Sequence, residues 1–337
     1  MGSFLQEMFL RFGEAFATGD GEKDFVTCSG TWSQAVEHVV DETYSRIRSL
    51  PGYSRRLRGP VTETFRYVDS VVEEMPGGIR CCRSAFFDDP RVNAFFVDPG
   101  HIQDVFSRNA EVREVLDANP EVDECWALLC MRKEERRQLG MSLVGDSVRK
   151  DVMQTVVSFT DHQVIAPGGT EEDARRSLKC CIFNGLLQYI RKRADGAKTK
   201  AMKLEIRRRF LYGRLKQADS VQDTESREEL QQKIDAVESE LARATPRLTS
   251  LEDHLEFVAK VLANPAEFLK ACSSSIRLSR LGIKQEGEGA VTGIEVPLYT
   301  IDVASHGPRI GALVCFPRDE LLPRQDFARN ADLFLTL

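Results

Sequence analysis

Ten residues, Phe183, Leu187, Ile190, Ala194, Ala197, Ala201, Leu204, Arg208, Leu211 and Leu215, recur at strictly alternating steps of four and three. That spacing keeps them on one stripe of an α-helix, the seam of a coiled coil. The phase survives Asp195-Gly196, where a turn would reset it, so the pattern predicts one helix from about Glu171 to Lys216 despite a glycine cost of about 1 kcal/mol. Thr170-x-x-Asp173 after Gly168-Gly169 is its start signal. Such a helix is roughly 70 Å long at 1.5 Å per residue. Leu230, Ile234, Val237 and Leu241 carry a second seam with the same alternation. The short polar link 217–222 sends the second helix back along the first, predicting an antiparallel coiled-coil hairpin with its tip near Asp219.

Charge is segregated along the same stretch. Residues 191–216 hold eleven Lys and Arg against Asp195 and Glu205, in a chain whose net charge is −6. The returning arm is acidic, with Asp219, Asp223, Glu225, Glu228, Glu229, Asp235, Glu238 and Glu240 against Arg227 and Lys233. Arg193, Lys200, Arg207 and Arg214 recur every seven positions beside the seam, so ion pairs across the hairpin account for part of the cationic line. The excess makes Arg191, Lys192, Arg193, Lys198, Lys200, Lys203, Arg207 and Arg214 the candidate residues for holding an anionic or acidic partner. Arg208 takes a seam position and reads as a register or partner determinant. Met202, Ile206 and Phe210 form a second apolar stripe, which either packs on the rest of the protein or is an interface for a partner or a second copy.

The remaining chain reads as α+β. A helical region covers 1–120: an apolar stripe of Phe4, Leu5, Met8, Phe9, Phe12 and Phe16 is expected to dock on the protein's own core. Thr31-x-x-Gln34 caps a second helix that reaches about Ser49 before Pro51-Gly52, and a third runs from about Pro60 to Met75. Asp89-Pro90, Asp98-Pro99 and Asn119-Pro120 mark further breaks. In 121–170 the apolar runs 126–131, 139–144 and 153–165 predict a three-stranded meander. The long helix and hairpin occupy 171–248. A helix capped by Thr249-x-x-Glu252 and a second meander, 275–283, 291–303 and 309–316, fill 249–337, with Pro297 at an edge or bulge. The economical arrangement is one antiparallel sheet built from both meanders, with the hairpin protruding.

Several function classes find no support. No run approaches the roughly 20 apolar residues of a membrane span, and the first residues lack a secretory pattern, so a cytoplasmic location is expected. Nine cysteines without a C-x-x-C argue against disulfides and zinc, and neither a metal nor a cofactor is assigned. No G-x-S-x-G, Walker loop, G-x-G-x-x-G or H-E-x-x-H occurs. Arg243-Ala-Thr-Pro-Arg247 followed by Ser279-Arg-Leu-Gly282 resembles the paired motif of PilZ cyclic-dinucleotide receptors, but Arg277 stands where that motif has an acidic or amide residue, and the chain is not assigned there. The leading expectation is a non-catalytic cytoplasmic binding or scaffold protein. Its charged arm meets a protein or anionic partner, or another copy of itself. Two alternatives remain: an enzyme with a cleft between sheet and helical region using Asp161, His162 and Arg149, and a nucleic-acid-binding protein using the basic helix. The acidic pI of about 5.6 and the scarcity of rings near the cations, Phe210 and Tyr212 alone, count against nucleic acid.

Overall fold

The computed structural model describes residues 29–144, 147–217, 227–243, 248, 250–285, 293–304 and 307–323. The N-terminal apolar stripe, the hairpin tip at Asp219 and the PilZ-like Arg243–Arg247 pair lie wholly or partly outside these residues. The chain is α+β, and its described residues fall into two compact units, one holding 68–181 and 269–323 and the other 29–67 and 182–268.

The helical unit is built on apolar stripes at three- and four-residue steps. Helix α1 (Ser29–Thr43) buries Ala35, Val36, Val39 and Val40, and a 3-10 turn (Ser45–Ser49) follows it. Thr31, the expected cap, stands inside α1 as described. Helix α2 (Tyr53–Glu73) begins seven residues ahead of Pro60, where the sequence suggested that a helix starts. Proline costs about 3 kcal/mol inside a helix, but Leu57 precedes it on the stripe Leu57, Val61 and Phe65, all fully buried, and that burial extends the helix backwards. Phe65 stacks on Phe183 with ring centroids 4.7 Å apart and meets Trp32 edge-on at 5.9 Å. The Thr64 hydroxyl donates to the Leu262 carbonyl at 2.6 Å, which satisfies a buried polar group.

The mixed unit has four short helices, α3 (Ala85–Asp88), α4 (Pro90–Phe95), α5 (Pro99–Ser107) and α6 (Ala110–Ala118). Asp89, Asp98 and Asn109 cap the last three, their side chains accepting from the amides of Arg91, His101 and Val112. With Pro90 and Pro99 at the first helical positions, the D-P pairs start helices as well as breaking them. Strand β1 (Ile79–Arg80) interrupts the helical run, pairing parallel with the last strand.

The sheet joins β2 (Glu124–Val144), β3 (Ser147–Gly168), β4 (Leu269–Leu278), β5 (Ile294–Val303) and β6 (Gly307–Pro317) in the order β3-β2-β6-β5-β4, with β1 also on β6. The first two strands of the expected three-stranded meander are one strand. The charged stretch Arg132–Gln138 is no turn: it pairs with β3 throughout, and β6 accompanies β2 only as far as Met131. Beyond that point the side chains of β2 from Arg132 to Leu139 are exposed or half-exposed, so this strand needs no apolar alternation, while Val157 and Phe159 opposite it on β3 stay buried. Pro297 faces Ser275 on β4, while the β5–β6 ladder starts at Tyr299, so the proline sits where β5 has a neighbour on one side only. Phe106 stacks on Phe316 at 4.6 Å and Phe95 meets Phe159 edge-on at 5.0 Å in the core beneath the helices.

Helix α7 (Glu171–Gln217) runs without a break through Asp195-Gly196. The Thr170 hydroxyl accepts from the Asp173 amide, and Glu171, Glu172 and Asp173 fill the first turn, so cap and macrodipole agree at the N-terminus. Apart from the helix's own backbone, no atom of the described residues lies within 4 Å of where a Cβ at Gly196 would stand. Gly196→Ala is therefore expected to stabilise the protein by about 0.5–1 kcal/mol, read as a raised denaturation midpoint. A lowered midpoint would mean that the helix is interrupted there.

Candidate interaction surface on the long helix

The distal half of α7 packs against α8 (Arg227–Arg243) through Leu204, Leu211, Leu230, Ile234 and Val237, with Leu215 and Leu241 at the margins. Across this seam Lys200 reaches Glu240 at 3.2 Å and the Tyr212 hydroxyl donates to Glu238 at 3.0 Å. Arg208, although on the seam by spacing, stays half-exposed and pairs with Glu205 of its own helix at 2.9 Å.

The second stripe lies roughly opposite the first around the helix, because 3.6 residues per turn place Met202, Ile206 and Phe210 away from Leu204 and Leu211. Among the described residues it is open: Met202 is 64%, Ile206 58% and Phe210 64% exposed. Large apolar side chains so exposed and in line are uncommon on a protein surface unless something covers them. Lys198 sits one turn before Met202, Lys203 and Arg209 border the stripe, and Arg191 and Lys192 continue the same face three turns earlier.

The candidate cations separate into two sets. Arg191, Lys192, Lys198, Lys203 and Arg207 are exposed and, among the described residues, have no ion-pair partner; nor has Arg209. Lys200 is taken by Glu240, and Arg193 donates to the Tyr189 hydroxyl at 2.9 Å and lies over the rings of Tyr189 and Phe257. Arg214 is half-buried and engaged. Arg193, Lys200, Arg207 and Arg214 flank the seam, not the open stripe. Arg209 belongs to the open face and was not singled out by the heptad logic. Its signal is its position seven residues after Met202.

The residues of the enzymatic alternative are bound up in structure. The His162 ring is hydrogen-bonded to the Phe95 carbonyl at 2.7 Å, stacks on Phe96 and meets His101 edge-on at 4.8 Å. Burial pushes its pKa down, with the nearby His101 adding to this, while the Phe95 carbonyl and Asp161 oppose it. Asp161, at a positive φ of 53°, pairs with Arg309 at 2.7 Å and Arg132 at 3.5 Å, and Arg309 holds its carboxyl below the usual range. The Arg149 side chain lies outside the described residues.

The depressed His162 value makes a pH prediction. The unfolded chain binds this proton near pH 6.5 while the folded one resists it, so stability is full above about 6.5 and is lost as pH falls through the lower folded value. Denaturation midpoints of wild type and His162→Asn across pH 5 to 7.5 should converge toward low pH; parallel curves would remove His162 as the source.

A groove of about 440 Å³ in the mixed unit was not legible in the sequence. Its walls include Phe86, Phe96 and Val157, and Phe87, Val97 and Leu281 stand exposed at its rim. Asp88 and Arg280 are its only ionisable lining residues among those described, which is not the convergence of titratable groups that catalysis requires. Among the described residues no His, Cys, Asp or Glu cluster is arranged to hold a metal, and no helix is long and apolar enough to cross a membrane. Comparison with protein-family models, curated proteins and solved structures finds no match to this chain.

Proposed function

We propose that the protein is a non-catalytic cytoplasmic binding protein whose α7–α8 arm, a coiled-coil hairpin, engages an anionic partner through the open face of α7. The observation that carries this is the exposed Met202, Ile206 and Phe210 stripe bordered by cations that nothing else in the described protein neutralises. Magnitudes require both parts. Completing the burial of three partly exposed side chains yields about 4 kcal/mol before any cost of association, which corresponds to roughly millimolar binding. The cations must supply the rest. The free thiols of all eight described cysteines fit a reducing compartment.

A symmetric dimer through the stripe is disfavoured, because it would set Lys198, Lys203 and Arg209 of one copy against those of the other. Ile206→Asp should therefore leave the solution mass unchanged, and a mass that drops to half would establish self-association instead. The reading as a whole is tested on an immobilised polyanion such as heparin. Wild type should be retained and elute at higher salt than Lys203→Glu/Arg209→Glu, since each neutralised contact contributes to the salt slope. Equal elution would sink the arm as the binding surface.

A further inference from the structure

We infer that the open face of α7 docks flat on an anionic lipid bilayer, with Met202, Ile206 and Phe210 between the headgroups; this rests on the arm being the protein's binding surface. α8 covers the opposite side of α7 through Leu204 and Leu211, so only about half of the helix circumference is free. A protein that receives a helix in a groove encloses its anchor residues from both sides. A plane needs only the half that α7 offers.

The charges are laid out for a plane as well. Arg191, Lys192, Lys198, Lys203 and Arg209 share the face with the apolar stripe and stretch over about 30 Å of helix at 1.5 Å per residue. An extended anionic surface meets all of them at once. Lysine and arginine side chains carry a charge on a long aliphatic stem, which suits an interfacial helix with basic flanks. The anions on this side are Asp195, on the face, and Glu205 at its edge, the latter paired with Arg208. Most acids of the arm stand elsewhere: Glu238 and Glu240 are turned to Tyr212 and Lys200, and Glu228 and Asp235 are exposed on α8 away from the seam. The hairpin is thus cationic on one side and acidic on the other, which orients it on an anionic surface. A nucleic acid would meet the cations and leave the three apolar side chains uncovered.

The test is flotation of the full chain with vesicles of phosphatidylcholine alone and with about 30% phosphatidylserine, in about 100 mM salt. Binding is expected on the anionic vesicles and not on the neutral ones. The partition ratio should fall at least about tenfold both in Ile206→Asp/Phe210→Asp and in Lys203→Glu/Arg209→Glu. These positions are exposed, so circular dichroism should show both variants folded. Phe210→Trp should add a fluorescence component that shifts to the blue on anionic vesicles and is quenched by brominated acyl chains. No flotation on anionic vesicles overturns the inference, as does flotation that Ile206→Asp/Phe210→Asp leaves intact. If vesicle binding fails while heparin retention remains sensitive to Lys203→Glu/Arg209→Glu, the lipid falls and the arm stands, with an acidic protein or nucleic acid as its partner. If heparin retention is insensitive too, both fall.

Discussion

Phe65→Ala should lower the stability of the helical unit by about 3–5 kcal/mol, a large share of the 5–15 kcal/mol that holds a domain folded. The Phe65 ring is fully buried, stacked on Phe183 and braced by the edge of Trp32, so it ties α1, α2 and the root of α7 together. Truncation removes the transfer energy of the ring and leaves a cavity that these helices can only partly close. Phe65→Leu keeps most of the volume and should cost far less. Urea denaturation followed by helical ellipticity measures both. A loss below about 1 kcal/mol for the alanine variant would mean that the ring cluster is not formed.

Ile234→Asp should detach α8 from α7 while leaving the mixed unit intact. Ile234 is fully buried among Leu204, Leu211, Leu230 and Val237. A carboxylate there has no cation within the cluster and must either remain unsolvated, at a cost of several kcal/mol, or open the seam to water. Opening is the cheaper course, because few apolar side chains hold the two helices together. Each 1.4 kcal/mol raises the open population tenfold, so proteolysis within 227–243 should accelerate by roughly a hundredfold. Ile234→Leu is the volume-preserving control. Unchanged proteolysis in Ile234→Asp would show that the seam does not hold α8. The same variant uncovers Leu204 and Leu211, so heparin elution in Ile234→Asp also shows whether the open face acts without its acidic neighbour.

Much of the fold was legible where the causes are local. The four-and-three spacing marks α7 from end to end, since a helix is sustained by its own hydrogen bonds and Gly196 charges only a small penalty. Asp89-Pro90 and Asp98-Pro99 mark helix starts, because a capping carboxylate and a fixed φ act within one turn. The less legible elements depend on distant partners. Arg132–Gln138 looks like a turn until β3 supplies its hydrogen bonds, and the α2 start at Tyr53 looks wrong until Leu57 is seen buried. The groove draws on α3, α4, β3, β5 and the turn at Ser279–Gly282, elements far apart along the chain, so no local pattern announces it.

The candidate surface divides the same way. Periodicity alone determined that Met202, Ile206 and Phe210 share one face of α7 and that Leu204 and Leu211 share another, because the pitch of the helix fixes those angles. Charge counting located the cationic excess on the same helix. Which face is covered was decided only by tertiary structure. α8 buries the Leu204–Leu211 side and takes Lys200, while the Met202–Phe210 side and its bordering lysines and arginines remain open. The physical reason is that burial is a property of pairs of surfaces: a sequence displays the apolar stripe, and only packing between elements removes it from water.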